Sequence, residues 1–409
     1  MNKVNQPDGP MRLHDTVRGE VVPFEPGPEV SMYVCGITPY DATHLGHAFT
    51  YLTFDLVIRR LEDLGHTVRM VRNVTDVDDS ILPKARELKV DYRALAAVEM
   101  AHFDADMVAL NMRPAFAEPW ATQSIEPMLD LIQRLSDAGH TYTVDGTTFF
   151  DVSTDEGFGS LSGLDEATMV ALAAERGGHP DDPRQRNPLD FILWQPSASD
   201  EPAWNSPFGA GRPGWHIECS AMVMANLSDT IDLHGGGDDL VFPHHECEDA
   251  QTRSATGKPL ARHWMHVGMV AYEGTKMSKS LGNLVFVRML RKLYDPRALR
   301  IAMLGHHYRG GFEWFDADID NGVTRLNRLV EAERRTCGPD PAPTLAAVRA
   351  ALDDDLDAST ARDAIDVLAG AIIAHAGDDP TAPAGLRQAA GLLGIHLDET
   401  PPGDAPSGT

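Results

Sequence analysis

Long apolar runs are missing from this chain. No stretch of roughly 18 apolar residues occurs, so no membrane-spanning helix is expected. The opening residues, Met1 to Glu20, lack the apolar centre of a secretory signal, which makes the cytoplasm the expected location. Cysteine is scarce. Only four occur, Cys35, Cys219, Cys247 and Cys337, and they are too scattered for a disulfide framework, so reduced thiols or metal ligands are expected. Positive charge is short as well: 35 lysines and arginines face 61 acidic residues, a formal net charge of -26 over 409 residues. A protein that grips a polyanion usually shows it a basic face, because phosphate neutralisation supplies most of the affinity. The deficit deepens toward the end. No lysine follows Lys292, and residues 331–409 hold 14 acidic residues against five arginines. No nucleic-acid partner is expected.

What is present concentrates in two stretches. Cys35-Gly36-Ile37-Thr38-Pro39-Tyr40 follows an apolar, strand-like segment over 30–34 and leads through His44-Leu45-Gly46-His47 into a helical pattern over 45–64. Strand, turn and helix start in that order make an anion site, since unpaired N–H groups and the positive end of the helix dipole face the turn. His44 and His47 share the first helical turn, and Gly46 lets a ligand approach the backbone. The second stretch, Lys276-Met277-Ser278-Lys279-Ser280, follows an apolar segment over 267–270.

The rest of the chain reads as α/β followed by all-α. A strand over 66–71 after the first helix predicts a right-handed parallel crossover and a doubly wound sheet. Helices are predicted over 92–112 and 122–139, and a hairpin over 142–152 turning at Asp145-Gly146. Residues 190–194 read as a return to the sheet, Trp215 as a helix start and 231–234 as a further strand. Gly235-Gly236-Gly237-Asp238-Asp239 would follow that strand, with glycines for close backbone approach and acids for ribose hydroxyls. Pro243 opens another helix. Residues 284–304 are predicted helical, and helical apolar spacing recurs over 323–330, 345–352, 364–374 and 386–393. The tail, 398–409, reads as disordered.

His44-Leu45-Gly46-His47 and Lys276-Met277-Ser278-Lys279-Ser280, in that order, resemble the HIGH and KMSKS signatures of class I aminoacyl-tRNA synthetases. The resemblance implies a Rossmann-like (HUP) catalytic domain and adenylate-forming chemistry on ATP with Mg2+. It implies phosphate contacts from His44, His47, Lys276 and Lys279, and ATP or adenylate contacts from Gly36, Ile37, Thr38, Gly46, Gly237, Asp238, Asp239, Val270 and Ser278. Four further runs are similar to cysteinyl-tRNA synthetases: Asn73-Val74-Thr75-Asp76-Val77-Asp78-Asp79, Asp190-Phe191-Ile192-Leu193-Trp194, Trp215-His216-Ile217-Glu218-Cys219-Ser220 and Phe242-Pro243-His244-His245-Glu246-Cys247-Glu248. They imply a cysteine pocket of Thr50, Asn73, Val74, Thr75 and Trp215. They also imply one zinc on Cys35, Cys219 and His244, with Glu248 a candidate fourth ligand and Cys247 its competitor. Zinc with an open position can take the substrate thiolate, which serine's hydroxyl replaces badly. The implied division is an arm over 1–27, a catalytic domain over 28–314 with an insertion at about 113–188, a helical domain over 315–397 and the tail.

The resemblance to cysteinyl-tRNA synthetases runs from Met11 to Trp314 and departs in three places. The C-terminal part is short and acidic, Cys35 is followed by Gly-Ile-Thr-Pro-Tyr-Asp, and Glu175-Arg176-Gly177-Gly178-His179-Pro180 stands in the insertion. All three are similar to a paralogous family, the cysteine ligases of mycothiol biosynthesis. That likeness implies transfer of activated cysteine to the amine of glucosaminyl-inositol (GlcN-Ins) by a monomer whose partners are ATP, L-cysteine and GlcN-Ins. An amine attacks only when neutral, so a general base is expected, with Asp76 or a histidine as candidates. The rival readings are a cysteinyl-tRNA synthetase with a reduced tail and a silent regulatory paralogue.

Overall fold

A computed structural model describes residues 10–40, 43–276 and 284–398. At its centre four parallel strands, β1 (Glu29–Ile37), β2 (Thr67–Val74), β3 (Leu233–Gly237) and β4 (Trp264–Val267), lie in the order β4-β3-β1-β2. The chain leaves β1 for β2 on one side and returns later to β3 on the other. Strand order therefore reverses between β1 and β3, and the crevice beyond their carboxyl ends is where such sheets bind ligands. β1 buries Val30, Met32, Tyr33 and Val34 on both faces, as a covered parallel strand must.

Helix α1 (Leu45–Asp63) makes the β1-to-β2 crossover and is buried nearly all round. Its outer face is covered by the C-terminal helices Ala342–Asp353 and Ala382–Leu392, which with Asp316–Glu333 and Ala358–Ile373 share one continuous core with the sheet. Charge pins the two parts together. Arg60 forks onto both oxygens of Asp353 at 2.7 Å, and Arg349 does the same to Asp63 at 2.8 Å. Deeper in, Asp55 accepts from Arg59 (2.7 Å), from the Arg113 backbone N–H (2.7 Å) and from Arg300. Burial pushes the Asp55 carboxyl up, but Arg300 and Arg59 outweigh it and hold it below the usual range. Asp55→Asn leaves two buried guanidinium groups without their anion. It is expected to lower unfolding free energy by roughly 3–5 kcal/mol in urea titration. The wild-type contribution is present above the unfolded carboxylate range and fades as pH falls through the folded value.

Several sequence expectations need correction. Phe191–Gln195 does not join the parallel sheet. It pairs antiparallel with Thr147–Phe150 and Arg212–Pro213 in a separate sheet completed by Thr141–Val144, because an apolar run fits either sheet and only tertiary pairing chooses. The single helix expected over 284–304 is two, Val287–Leu290 and Pro296–Met303. Asp295 caps the second by accepting from the Arg297 N–H at 2.9 Å, with Pro296 at its first position. Gly235, Gly236 and Gly237 lie inside β3 rather than after it. The helix expected from Thr122 starts at Ile125 after a short 3-10 turn, since Asp76 holds the Thr122 N–H and hydroxyl. Pro243 stands at a helix start as expected: Phe242 before it keeps extended backbone, and the turn over Val241–His245 runs on into the helix Glu246–Thr256. The expected N-terminal arm contains a hairpin, Arg12–Asp15 with Glu20–Pro23, and buries Met11 and Leu13. The turn at Asp145-Gly146 is as expected, both residues having positive φ. Of the tail, only Asp398 falls among the described residues.

Candidate active site and metal centre

The chain that resumes at residue 284 packs on the first signature stretch. Leu45 N–H donates to Val285 O at 2.9 Å, Val287 N–H donates to Thr43 O, and His44 bridges antiparallel to Phe286. The residues that follow the Lys276 segment are thereby laid against the start of α1. His44 caps α1, its Nδ1 accepting from the Gly46 N–H at 3.1 Å, and its ring stacks on His47 at 3.9 Å. Thr50 Oγ1 donates to Gly46 O, so it ties down the same turn. Val270 opens a strand, Val270–Tyr272, that runs back to Thr275–Lys276. The sites expected at Ser278 and Lys279 lie outside the described residues.

Across the crevice the cradle is built from β1 and β2. Gly36 N–H donates to Asn73 Oδ1 at 2.7 Å, and Asn73 Nδ2 donates to Thr75 Oγ1 at 3.0 Å. Asn73 thus braces the strand ends. Thr75 N–H donates to Ile37 O, Val74 is fully buried beside it, and Thr38 Oγ1 donates to Asp78 Oδ2 at 3.1 Å. Gly237, Asp238 and Asp239 stand at the tip of β3, where Asp238–Leu240 forms a 3-10 turn. Arg176, from the insertion, donates through one nitrogen to the backbone oxygens of Asp239 (2.7 Å) and Phe242.

At the switch point lies a closed cluster of ligating groups. One ligand atom each from Cys35, Cys219, His244 and Glu248 falls within 4.8 Å of the others, and all four residues are buried. Cys35 sits near the end of β1. Cys219 is on helix α2 (Trp215–Asn226). His244 and Glu248, four apart, flank the start of helix α3 (Glu246–Thr256). The two sulfurs are 4.0 Å apart, near the separation of about 3.8 Å that two thiolates take on one tetrahedral zinc. His244 Nε2 is 2.9 Å from Glu248 Oε1. Burial pushes the Cys219 thiol up, yet the Cys35 hydrogen bond and the His244 charge draw it down to about 6. Burial likewise opposes ionisation of Glu248, but His234 and His244 hold it well below the carboxylate range. A thiolate, a second thiol, an imidazole and an ionised carboxylate form a donor set that fits zinc. Cys247 is buried too, but it is absent from both potential metal groups among the described residues, which leaves Glu248 as the better-placed fourth donor.

Sequence reasoning missed the groups that orient this set. His216 Nδ1 lies 2.9 Å from His244 Nδ1, and His234 Nε2 lies 2.9 Å from Glu248 Oε2. His245 faces the Cys35 sulfur at 3.3 Å and reaches His266 with its other nitrogen at 2.7 Å. Such outer partners fix ligand orientation in metal sites. Cys35, His234, His245 and Glu248 form an overlapping second group of potential ligands. The set with both thiols is the better fit to zinc. Trp215 stacks on the His244 ring at 4.1 Å and so walls the same space. The adjacent histidines at 216, 244 and 245 were the only signal in the sequence, and their roles depend on tertiary approach.

The family model for the tRNA synthetases class I (C) catalytic domain matches residues 21–324, and the chain belongs to that family. Relatives that it matches over nearly the full length include cysteine ligases. It is 51% identical to the L-cysteine:1D-myo-inositol 2-amino-2-deoxy-alpha-D-glucopyranoside ligase of Thermobifida fusca, over 95% of each chain. It is 49% identical to the ligase of that name from Nocardiopsis dassonvillei, over 95% of this chain and 96% of that one. Among solved structures, Mycobacterium tuberculosis methionyl-tRNA synthetase with methionyl-adenylate superposes with a TM-score of 0.61 at 18% identity, covering 89% of each chain. A LeuRS-tRNA-LeuAMS ternary complex from Agrobacterium radiobacter K84 gives 0.65 at 12% identity, covering 93% of this chain and 88% of that one. These two show the fold, a class I synthetase-like α/β domain with C-terminal helices.

Proposed function

We propose that this chain is an ATP-dependent ligase that activates L-cysteine as cysteinyl-adenylate, releasing pyrophosphate, and transfers it to the amine of GlcN-Ins as an amide. The observation that carries the first half is the convergence of Cys35, Cys219, His244 and Glu248 at the switch point, beside the crevice where His44 bridges to Phe286. Zinc held there supplies a Lewis-acid anchor for the substrate thiolate, a filter far sharper than the roughly 1–3 kcal/mol per methylene of an apolar pocket. Thr75 and Trp215 flank the cysteine, with Thr50, Asn73 and Val74 fixing the pocket walls. His44, His47, Lys276 and Lys279 line the phosphates. Gly36, Ile37, Thr38, Gly46, Gly237, Asp238, Asp239, Val270 and Ser278 hold the nucleotide, with Mg2+ accompanying ATP as the family normally has it. The cysteine carboxylate then attacks the α-phosphate in line, and catalysis is mainly positioning and charge stabilisation.

The second half rests on the full-length relatives named as ligases. The acidic C-terminal helices agree with it, since they offer phosphates little to bind. The test supplies purified protein with ATP, cysteine and either GlcN-Ins or cysteine tRNA, and weighs the products by mass spectrometry. A cysteinyl amide of GlcN-Ins with no charged tRNA is expected; charged tRNA without the amide overturns the reading.

Arg176 gives a separate prediction, because it clasps the turn carrying Asp238 and Asp239 from the insertion. In pyrophosphate exchange, Arg176→Ala is expected to raise KM for ATP about tenfold, the loss of one charged hydrogen-bond donor. KM for cysteine is expected to stay near its wild-type value.

A further inference from the structure

Glu218 precedes Cys219 on α2 and is 0% exposed. Neither of its carboxyl oxygens completes a hydrogen bond of normal geometry with any described group. The neighbouring acids are satisfied. Asp76 accepts from the Thr122 N–H (2.9 Å) and hydroxyl (2.6 Å), and Asp78 from the Thr38 hydroxyl (3.1 Å) and the N–H groups of Ser80 (2.7 Å) and Ile81 (2.8 Å). Burying a carboxyl without a partner is costly, so an unpaired one calls for a ligand. Its surroundings say which kind. Burial first, then the nearby Asp78, Cys219 and Asp76, push the Glu218 carboxyl well above the usual range, and only the Thr75 hydroxyl pulls the other way; a cation placed beside it relieves that repulsion and an anion adds to it.

Trp215, Glu218 and Cys219 are spaced three and four apart, so they share one side of α2. Trp215 packs on the metal-ligand His244 from that side. The amine and thiol of cysteine are separated by only two carbons. An amine whose thiolate is anchored at Cys35, Cys219 and His244 must therefore lie within reach of a residue adjoining those ligands. We propose that Glu218 receives the α-ammonium of the substrate cysteine, an assignment that rests on the cysteine-activating reading above. Thiolate and ammonium are then fixed at two points. The α-carboxylate is turned away from Asp76, Asp78 and Glu218, toward the nucleotide side of the crevice. Cysteine held in this way keeps its own amine tied up as an ammonium, so it cannot compete with the amine of the acceptor.

The test is calorimetric titration of the zinc-loaded full chain with cysteine and with 3-mercaptopropionate, which keeps thiol and carboxylate but lacks the amine. Wild type is expected to prefer cysteine by about 10- to 100-fold, the contribution of one charge-assisted contact. Glu218→Gln is expected to lose that preference while binding 3-mercaptopropionate as wild type does. A variant that keeps the preference, or weakens both thiols equally, overturns the assignment. If Glu218→Gln does not fold, Glu218→Asp decides, with a reduced preference expected and an unchanged one overturning. Wild type that binds both thiols alike sinks the ammonium contact alone, whereas wild type that binds neither sinks the cysteine reading itself.

Discussion

Cys219→Ala is expected to fold, to lose its bound zinc, and to activate cysteine slower by on the order of 10^3-fold or more. The size of the effect follows from what the thiol does in the cluster. It is 1% exposed, faces Cys35 across 4.0 Å, and is drawn down to about 6, so it is a thiolate at neutral pH. Alanine removes both a donor and the negative charge that stabilises a cation there. The remaining imidazole and carboxylate, 2.9 Å apart, then pair with each other rather than with a metal. His216→Phe is the informative contrast. It leaves all four donors in place but removes the group 2.9 Å from His244 Nδ1, so a loss of about 10- to 100-fold in zinc affinity is expected, as for an outer partner. Metal content by mass spectrometry and cysteine-dependent pyrophosphate exchange check both variants. Chelator treatment of wild type should reproduce the Cys219→Ala loss, and readdition of zinc should reverse it. Full exchange activity in a zinc-free Cys219→Ala protein would show that the cluster is structural and that selectivity for cysteine lies elsewhere.

The candidate ligands that the structure brings together were legible in the sequence because each sits in a short run whose neighbours are constrained too. Cys35 precedes a glycine forced by the backbone of β2, and His244 and Glu248 keep helical spacing. Their partners were not legible. His234 reads as one more residue of a buried strand, and only the approach of α3 puts its ring on Glu248. Glu218 reads as the polar member of an apolar helix turn, yet it is wholly buried. At the level of the fold, strand and helix periods were informative for β1, α1 and β2, where each apolar run ends in a glycine or a cap. They could not say which sheet Phe191–Gln195 would join, since a covered strand is apolar whichever partner it finds. Nor could they foresee that α1 would be buried on its outer face, because Arg59 and Arg60 look like solvent residues until Asp55 and Asp353 come within 2.7 Å of them.

Gly36→Ala should be the most damaging single change away from the candidate metal ligands. A Cβ at Gly36 would stand 1.6 Å from Asn73 O, 2.7 Å from Asn73 C and 3.2 Å from Asn73 N. All three atoms are backbone of β2, so no rotamer change relieves the contact. β1 and β2 must separate where their register already shifts, between Val34 and Ile37. Separation also breaks the Gly36 N–H bond to Asn73 Oδ1 and the Thr75 N–H bond to Ile37 O, 2.7 and 3.0 Å long. The expected loss of stability is about 3 kcal/mol or more in urea titration, at the upper end of overpacking effects. Whatever folded protein remains should show pyrophosphate exchange reduced by at least about 10^2-fold, because Cys35 and Ile37 flank the displaced residue and an ångström of misplacement has that effect. Gly310→Ala is the control: nothing lies within 4 Å of its Cβ position, so a change within about 0.5 kcal/mol is expected. A Gly36→Ala protein as stable and active as the Gly310→Ala control would mean that β1 and β2 do not pack this closely at the site. The cradle that Asn73 braces would then need another explanation.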